Sequence, residues 1–466
     1  MTQQTVNHIQ QLLIEALPAN SAGRWLVGLS GGLDSTVLLH ALTEVAGSVP
    51  IVAVHINHGL SVNADEWQRH CESVCRELGV ELLVERVNIA GEGAIEERAR
   101  KARLKVFQGV MSEGDILLLA HHRQDQAETV LFRLLRGAGV TGLGGIRAQR
   151  SFAGGSIVRP LLAAGRPDLE AYARAQKLAW VEDESNTDTA FDRNFLRRDI
   201  LPKLRTRWPE ADDNVARAAR HCSEADALLQ ELAELDLATM AERAEPMGFS
   251  LDLVALSQLS VARQRNLLRY WLQQRFAETA GYQLLADIET QLIVGNSPES
   301  QVQGKRTLLR QFQGRLYGLS LAVHWAPGPG ELSLQWSEPA GSLALPGDDW
   351  LCWQNYTVGE PLEVSSSVGW GRALARQHLE RAVMVNWRSG SERCQPAGRR
   401  HSQTLKRLLQ EYQLPPWLRA RLPLVYIDNE LAAVANLWVC EAFAANPGDE
   451  AVILQWQFPQ SGAASG

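Results

Sequence analysis

The feature that most constrains the fold is the stretch WLVGLSGGLDSTVLLHAL, which runs from Trp25 to Leu42. An apolar run ends at Leu29, the residues SGGLDS follow at 30–35, and a second apolar pattern begins at Thr36. This order predicts a buried strand, a glycine-rich turn and a helix. Backbone N–H groups at the start of a helix have no partner within the helix and favour an anion. The stretch therefore predicts a phosphate-binding turn.

The side chains of this turn suit a phosphate site. Gly31 and Gly32 allow close approach of the backbone, and the hydroxyls of Ser30 and Ser35 can donate to phosphate oxygens. The carboxylate of Asp34 would repel phosphates unless it holds Mg²⁺ or a substrate ammonium group. The chain has no GxxxxGK sequence followed by Ser or Thr, so the turn is not a Walker loop. A chance strand–turn–helix is the competing interpretation.

Short apolar strands alternate with helical patterns through residues 24–120, which predicts a parallel sheet covered on both faces. The strands are predicted at 25–29, 51–55, 81–87 and 115–120, with helices near 35–46, 62–79 and 94–111. Ligands of such sheets bind at the carboxyl ends of the strands. Further helices are predicted over 212–245, 255–276 and 282–294.

A chain of 466 residues is expected to form two or three domains. The predicted divisions are an α/β parallel-sheet catalytic domain at 1–215, a mostly α-helical domain at 216–325 and a small mixed α/β domain at 326–460, which begins with a Pro/Gly-rich linker at 326–346. The formal net charge is −7, so nucleic-acid binding would depend on local basic patches.

The six cysteines show no CxxC pair and no disulfide spacing, which favours a reducing cytosol. Cys71 and Cys75 share a helix face without a third ligand nearby, so we expect them to be core thiols. The N-terminus shows no signal-peptide pattern, and no apolar stretch approaches transmembrane length. These observations predict a cytoplasmic protein without a membrane partner.

A second group of chemically useful residues lies in AHHRQDQAETVLFRLLRGAG (120–139), which begins at the end of the fourth predicted strand. Asp125 and Glu128 lie three residues apart and share a helix face. His121 and His122 precede them, and His121 is the candidate catalytic histidine. Two carboxylates with a histidine beside them suit binding an amine and accepting its proton, although a charge pair that complements the helix dipole would look the same. On the preceding helix, Arg100 and Arg103 can face phosphates or form a solvated, salt-bridged surface.

Two basic clusters are candidates for RNA contact. Between positions 388 and 421, eight lysines and arginines stand against two glutamates, and Tyr412 and Trp417 could stack on bases. A second cluster begins with Arg193 and Arg197. Charge runs are usually solvated surfaces, so composition alone leaves both interpretations open.

The turn SGGLDS resembles the PP-loop of the N-type ATP pyrophosphatases, which cleave ATP between the α and β phosphates and pass AMP to a substrate oxygen. GMP, NAD, asparagine and argininosuccinate synthetases, tRNA thiolases and tRNA lysidine synthetases share this loop. A thiolase would want cysteines near the site, and none lies between Cys75 and Cys222. Synthetases with their own ammonia supply need a glutaminase cysteine, which in the asparagine enzymes follows the initiator methionine; Thr2 stands there instead.

The order of the motifs resembles the tRNA(Ile)-lysidine synthetase family over nearly the whole chain. The matching segments are SGGLDS (30–35), NHG (57–59), the set Glu96, Ala99, Arg100 and Arg103, AHH…DQAET (120–129), RGAG (136–139), GLGGI (142–146), RPLL (159–162), DESNTDTAFDRNFLRRDILP (183–202) and GRRHSQTLKRLLQEYQLPPWLRARLPLVY (398–426). Gln124 replaces the first of two aspartates usual in the family, so Asp125 takes the stronger claim to that role.

The resemblance implies an ATP-dependent, AMP-forming ligase that joins L-lysine to C2 of the wobble cytidine in isoleucine tRNA with a CAU anticodon, through an adenylated cytidine. ATP would be held by Ser30, Gly31, Gly32, Leu33, Asp34, Ser35 and Arg100, with Mg²⁺ on Asp34. The implied catalytic residues are Asp34, Asp125, Glu128, His121 and Arg103. The implied tRNA contacts are Arg193, Arg197, Arg399, Arg400, Lys406, Arg407, Trp417 and Arg419. The sequence leaves open which of Asp125 and Glu128 is the base and whether the chain forms a homodimer.

Overall fold

The apolar stretch at 25–29 forms an inner strand of a six-stranded sheet in the computed structural model of this chain. The structure describes residues 2–18, 23–59, 61–88, 95–182, 192–295, 297, 300–321, 333–336, 341–345, 349–357, 373–446 and 449–458. The chain divides into two units, residues 1–229 and 230–464. No described helix is both long and apolar enough to cross a membrane.

The sheet of the first unit has five parallel strands and one antiparallel edge strand. The strands are β1 (Trp25–Gly28), β2 (Ile51–Asn57), β3 (Glu81–Arg86), β4 (Ile116–Leu118), β5 (Gln149–Phe152) and β6 (Gly155–Val158). Their order across the sheet is β3-β2-β1-β4-β6-β5, and β5 runs antiparallel to β6. The carboxyl ends of the five parallel strands therefore lie at one edge of the sheet, where ligands are expected.

The helices of the first unit follow the predicted alternation. They are α1 (Thr2–Ala16), α2 (Leu33–Val45), α3 (Ala64–Leu78), α4 (Ile95–Val110), α5 (Arg123–Leu135), α6 (Val140–Leu143), α7 (Arg166–Ala175), α8 (Asp192–Phe195), α9 (Leu201–Arg207) and α10 (Ala211–Ala238), the last of which contains the boundary between the units. A 3₁₀ turn lies at Pro160–Ala163 and a π-helical turn at Leu196–Ile200.

Apolar side chains cover the sheet on both faces. One core contains Val27, Leu38 and Leu161, and a second contains Leu26 and Phe107. Because neighbouring residues of β1 point to opposite faces, both sides of this strand are buried, which explains its unbroken apolar sequence. The predicted parallel sheet is confirmed. Cys71 and Cys75 lie in the first core, where burial raises the pKa of their thiols to about 12 and about 11.

The hairpin of β5 and β6 was not predicted. It turns at Gly154, whose φ of 77° suits glycine, and its outer strand is largely exposed. An exposed edge strand lacks the apolar alternation by which strands are recognised in a sequence. The hairpin places Arg159, which directly follows β6, at the ligand edge of the sheet.

The second unit begins with an antiparallel five-stranded sheet packed on helices. The elements are β7 (Arg243–Glu245), β8 (Gly248–Asp252), α11 (Leu253–Gln258), α12 (Val261–Phe276), α13 (Tyr282–Ile288), a π-helical turn at Glu289–Ile293, β9 (Gln301–Gln303), β10 (Thr307–Phe312) and β11 (Arg315–Ser320). The sheet order is β7-β8-β11-β10-β9, and its core contains Leu251, Trp271 and Leu309. The helices of this region agree with the sequence, whereas its sheet was not predicted.

The helix predicted over 212–245 is wrong at its C-terminal end. α10 stops at Ala238, and residues 243–245 form β7 instead. The amide of Asp252 donates to the carbonyl of Met240, and β7 pairs with β8. Sheet pairing thus outweighs the helical propensity of this Ala- and Glu-rich segment.

The remainder of the second unit is mixed α/β, as predicted. Its elements are β12 (Ser333–Trp336), β13 (Ser342–Ala344), β14 (Trp350–Thr357), β15 (Leu374–Ala375), a 3₁₀ turn at Arg376–Glu380, β16 (Val383–Trp387), β17 (Arg393–Cys394), β18 (Gln403–Thr404), α14 (Leu405–Glu411), α15 (Pro416–Arg419), β19 (Pro423–Ile427), β20 (Glu430–Val434), β21 (Trp438–Val439), a 3₁₀ turn at Glu441–Phe443 and β22 (Glu450–Gln457). These strands form sheets of five, four and two strands. Much of the expected linker at 326–346 lies outside the described residues.

Candidate active site

The turn that follows β1 is held by its own two serines. The hydroxyl of Ser35 accepts from the amide of Ser30 at 3.1 Å, donates to the carbonyl of Gly32 at 3.1 Å and lies 3.0 Å from the Ser30 hydroxyl. The Ser30 hydroxyl accepts from the amide of Gly32 at 3.3 Å. These bonds shape the loop before any nucleotide arrives, so the predicted phosphate-binding residues 30–35 form one cradle at the start of α2.

Gly31 is required by its backbone and by its neighbours. Its φ is 83°, and a Cβ there would lie 3.0 Å from the Cys71 sulfur and 3.2 Å from a methyl carbon of Val181. The amide of Val181 donates to the carbonyl of Gly31 at 3.0 Å, so this residue closes over the loop from outside. Glycine is therefore the residue that satisfies both constraints.

His122 lies between two of the predicted catalytic carboxylates. Its Nε2 is 3.6 Å from Asp34 Oδ2 and 3.5 Å from Asp125 Oδ2, and its ring is 2% exposed. Its Nδ1 accepts from the amide of Gln124 at 3.2 Å, which leaves Nε2 to carry the ring proton in the neutral form. The arrangement brings the ends of β1 and β4 together around one imidazole.

Asp125 also caps α5. Its Oδ2 accepts from the amide of His122 at 3.0 Å, and the two residues form a capping box. Asp125 therefore also complements the dipole of α5, which is the alternative role that the sequence left open. It does not exclude a chemical role, because Oδ1 of Asp125 points to two arginines instead.

Arg193 and Arg197 both donate hydrogen bonds to the carboxylates of Asp125 and Glu128. Arg197 donates to Glu128 through Nε at 2.6 Å and Nη2 at 2.9 Å, and Arg193 Nε donates to Glu128 at 3.0 Å. Both arginines also reach Asp125 Oδ1, at 3.2 and 3.3 Å. The side chain of Glu128 is 2% exposed, and those of the arginines are 34% and 33% exposed. Arg193 and Arg197, which were predicted as RNA contacts, thus lie at the carboxylates that were predicted to be catalytic. Arg197 is part of the π-helical turn, a feature that is frequent at functional sites.

The pKa values of the Asp34 and Asp125 carboxyl groups are shifted in opposite directions. Burial raises the pKa of the Asp34 carboxyl, and His122 only partly opposes this. Burial also works to raise the pKa of Asp125, but His122, Arg193 and the hydrogen bond from the His122 amide outweigh it, so this pKa is lowered. Asp125 is therefore a stable anion, whereas Asp34 takes up a proton more readily.

His121 is a neutral neighbour of this group. Burial lowers its pKa to about 4, with Arg159, Arg193 and Arg103 adding to the effect and Asp125 opposing it. Arg159 Nε donates to His121 Nδ1 at 3.2 Å. Nε2 therefore carries the ring proton and can donate a hydrogen bond.

The remaining predicted residues of this domain lie around the same edge. Arg103 lies within electrostatic reach of His121, and the charge of Arg100 acts on Arg133 and Arg150. His55 is buried and donates from Nδ1 to the carbonyl of Leu29 at 2.9 Å, which is a structural contact. Among the described residues no three His, Cys, Asp or Glu side chains form a metal-binding group.

The basic cluster of the second unit surrounds α14. Arg399 and Arg407 share the carboxylate of Glu411, at 2.6 and 3.2 Å, whereas Arg400 and Lys406 are exposed. Arg419 Nε donates to the carbonyl of Leu414 at 2.7 Å. The cluster thus contains cations that are bound to a carboxylate or a carbonyl within the protein, and other cations that are exposed around the same helix.

Trp417 and Tyr412 pack within the protein. Trp417 contacts Phe312 and Tyr317 edge to face, with ring centroids 5.8 and 5.2 Å away. Tyr412 stacks on Trp438 at 4.8 Å. These contacts explain both aromatics by packing, so the exposed cations carry the argument for RNA contact here.

The sequence places both His121 and His122 before the carboxylates but selects only His121 as catalytic. It does not predict that Arg193 and Arg197 lie at the carboxylates. His122 was visible as the residue three positions before Asp125, the spacing of a capping box. Arg193 and Arg197 lie 65–72 residues away from their partners, and no local pattern connects them.

The fold and the site define a PP-loop nucleotide-binding enzyme: a parallel sheet, a serine- and glycine-lined turn after β1, and acidic groups at the neighbouring strand end. Residues 1–204 match the family described as the PP-loop domain. Residues 251–317 match the TilS substrate binding domain, and residues 383–456 match the TilS substrate C-terminal domain. The chain belongs to the tRNA(Ile)-lysidine synthase family, and the predicted family is confirmed.

Relatives carry this similarity over almost the whole chain. A tRNA(Ile)-lysidine synthase of Pseudomonas aeruginosa is 43% identical over 92% of this chain and 93% of its own length. The corresponding proteins of Coxiella burnetii and Xanthomonas campestris are 39% and 37% identical over 94% and 95% of this chain, and over 93% and 97% of their own lengths.

Proposed function

We propose that this chain is an ATP-dependent ligase that joins L-lysine to C2 of the wobble cytidine of CAU-anticodon isoleucine tRNA, forming lysidine and releasing AMP and pyrophosphate. Family membership supports the reaction and the tRNA substrate. The observation that carries the residue roles is the meeting of the PP-loop with the Asp34–His122–Asp125 group at one sheet edge. The reaction needs a nucleotide site and an amine site side by side, and this edge offers both.

ATP binds along the turn after β1 in this proposal. The loop of Ser30, Gly31 and Gly32 leads into α2, whose first N–H groups lack intrahelical partners and whose dipole favours the phosphates. Leu33, which is buried, contributes its backbone, and Ser35 keeps the loop in shape. Arg100 and Arg103 add positive charge to the same edge.

Asp34 fits a magnesium ion. Its Oδ1 is buried and accepts no hydrogen bond from any described residue, although a buried carboxylate oxygen normally has a partner. Mg²⁺ in phosphate sites commonly takes one or two carboxylates together with phosphate oxygens and water. Bound there, the ion would neutralise charge on the phosphates. Asp34 would hold it, and His122 would fix the other carboxylate oxygen.

The first chemical step activates the base. The C2 oxygen of the cytosine attacks the α-phosphorus, the bond to the bridging oxygen breaks, and pyrophosphate leaves with the electron pair. His121 offers Nε2–H as a neutral donor, and Arg103 offers a cation within its electrostatic reach. Both stabilise the negative charge that grows on the transferring phosphate.

The second step replaces AMP by lysine. Asp125 is held ionised and so binds the lysine ammonium group, while Glu128 fixes Arg193 and Arg197 beside it. The ammonium group gives one proton to water, its nitrogen lone pair attacks C2, and the C2–oxygen bond breaks, so that AMP departs with the electron pair of that bond. The lowered pKa makes Asp125 a better cation ligand than proton acceptor, since a general base works best with a pKa near the operating pH.

The tRNA itself needs further contacts, which we assign to the second unit. Arg399, Arg400, Lys406, Arg407 and Arg419 surround α14 and can contact phosphates. Trp417 would support this surface through its packing.

The test is lysine incorporation by wild-type protein and by Asp34→Asn. Purified protein is incubated with ATP, Mg²⁺, radiolabelled lysine and unmodified isoleucine tRNA bearing CAU, and label surviving mild alkali is counted. Wild type is expected to give stable label that disappears when the wobble cytidine is changed to uridine. Asp34→Asn should lose about 100-fold or more in rate while binding tRNA normally.

Asp65→Asn is the matched control, because Asp65 lies in the same unit with a side chain 69% exposed. It should incorporate lysine like wild type. Unchanged turnover in Asp34→Asn would remove the role given to Asp34. Cleavage of ATP to AMP by wild type without lysine label would keep the PP-loop chemistry and assign a different acceptor or nucleophile.

A further inference from the structure

Beyond the described site, basic side chains continue along the ligand edge of the sheet. Arg159 directly follows β6, and Arg150 on β5 pairs in register with Ile157, near the same end of β6. Arg147 lies just before β5, and its carbonyl accepts from Arg159 Nη1 at 2.8 Å. Three strand steps, about 14 Å, separate β1 from β5. The row thus extends from His121, just after β4, to the edge of the sheet.

These arginines lie close together without carboxylates to balance most of them. Among the described residues, Arg150 and Arg159 have no acidic side chain within ion-pairing distance, and only Arg147 has one, Asp226 at 3.1 Å. Burial and then the charge of Arg150 lower the pKa of Arg159 to about 10. Partial desolvation of the Arg150 guanidinium, followed by the charges of Arg100 and Arg147, lowers its pKa although the residue is exposed. Positive charges held close together without neighbouring carboxylates repel one another, so binding of an anion to this surface is favoured.

Protection of an exposed strand edge is a simpler use for charge, since arginine or lysine on an edge strand hinders pairing with another chain. It would account for Arg150. It does not account for Arg159, which turns inward and donates to the ring of His121 beside the catalytic carboxylates. The row is therefore continuous with the active site, which points to the substrate that the site modifies.

We infer that Arg147, Arg150 and Arg159 form an RNA-backbone track that binds phosphates of the substrate tRNA next to the wobble nucleotide. The outer part of this surface, at β5, lies three strands from β1 and its turn, so it suits a polymer that enters the site with one base and continues along the sheet edge. Arginines contact phosphates by charge and by paired N–H groups. The inference rests on the proposed function, because the ligand is its tRNA substrate.

Arg150 is the residue to change, because it is exposed and its contacts in the fold are few. Arg150→Ala should weaken binding of the CAU tRNA about fivefold at 0.15 M salt and reduce the salt slope of log K by about 1. Arg150→Glu should weaken it further, and Arg150→Lys should keep the wild-type slope. Arg174→Ala and Arg174→Glu are matched controls on α7, where the side chain is 76% exposed.

Filter binding at several KCl concentrations, with full tRNA and with an isolated anticodon stem-loop, provides the readout. Both RNAs should lose affinity in Arg150→Ala, and the Kd for ATP, measured by equilibrium dialysis, should stay unchanged. The track would be overturned if Arg150→Glu and Arg174→Glu had equal affinities for RNA and equal salt slopes. It would also be overturned if Arg150→Lys bound RNA as weakly as Arg150→Ala. RNA binding is measured without turnover, so it is independent of the activity assay. Absence of lysine incorporation in wild type would contradict the proposed reaction, and the binding data would still decide whether the track exists.

Discussion

At the scale of single residues, His122 joins the two halves of the site. It is the one ring that approaches both Asp34 and Asp125 among the described residues, and it is almost fully buried. Its own orientation is fixed by the amide of Gln124, so the position of its Nε2 is set by the start of α5. We therefore regard His122 as a positioning residue that keeps two carboxylates apart and aligned.

Replacing the ring should uncouple these carboxylates. His122→Ala is expected to lower kcat for lysidine formation about 10- to 100-fold, the usual cost of losing a residue that orients a catalytic ligand. Since His122 opposes the rise in the pKa of Asp34, its loss should also move the acidic limb of the pH–rate profile to higher pH. Steady-state kinetics across pH measure both effects, with KM for tRNA as the internal reference.

His122→Gln keeps a donor near both carboxylates and should recover part of the rate. His8→Ala, an exposed position on α1, serves as the control and should behave like wild type. A His122→Ala enzyme with wild-type kcat and an unchanged profile would show that the ring only caps the helix.

At the scale of elements, one buried carboxylate joins the starts of β1 and β4. Asp115 precedes β4, its side chain is 3% exposed, and it accepts from the backbone amides of Arg24 and Ser112 at 2.9 Å. The guanidinium of Arg24 adds a bond of 2.7 Å. Burial works to raise the pKa of Asp115, but these bonds outweigh it and the pKa is lowered. The pair therefore fixes the relative position of the two strands whose opposite ends build the site.

The lowered pKa has a definite consequence for stability. The ionised carboxylate contributes stability that is fully present above its unfolded pKa and is lost as pH falls through its lower folded pKa. Asp115→Asn should cost about 1–3 kcal/mol at pH 7, and the difference from wild type should shrink between about pH 5 and pH 3. Urea unfolding at several pH values measures it. A difference that stays constant down to pH 3 would contradict the assigned ionisation.

Elements that are continuous in sequence were predictable, and pairings between distant segments were not. The strand, turn and helix at 25–45 follow from apolar runs separated by SGGLDS, and the carboxylates of α5 follow from their spacing. In contrast, β7 was read as helix because its composition is helical, and its partner β8 decides otherwise. Arg193 and Arg197 were predicted as RNA contacts within a basic run, and their position at Asp125 and Glu128 was not predicted because those carboxylates lie far upstream.

At the scale of the whole molecule, a chain of net charge −7 must concentrate its cations to bind RNA. The proposals place two such surfaces in different units: the track of Arg147, Arg150 and Arg159, and the cluster around α14. Both would act on one polyanion. Contacts to separate parts of one ligand add in free energy when they share no partner, so each surface can be tested against a different part of the tRNA.

The comparison of full tRNA with an anticodon stem-loop separates the two surfaces. Arg400→Ala combined with Lys406→Ala removes two exposed cations beside α14 and should raise KM for full tRNA about tenfold or more at 0.15 M salt. We assign the α14 cluster to a part of the tRNA outside the anticodon stem-loop, so the same double variant should leave KM for the stem-loop unchanged. Arg150→Ala, by contrast, should raise KM for both RNAs. Equal losses for both RNAs in the double variant would mean that the α14 cluster acts on the anticodon arm itself, and the division of the tRNA between the two surfaces would be wrong.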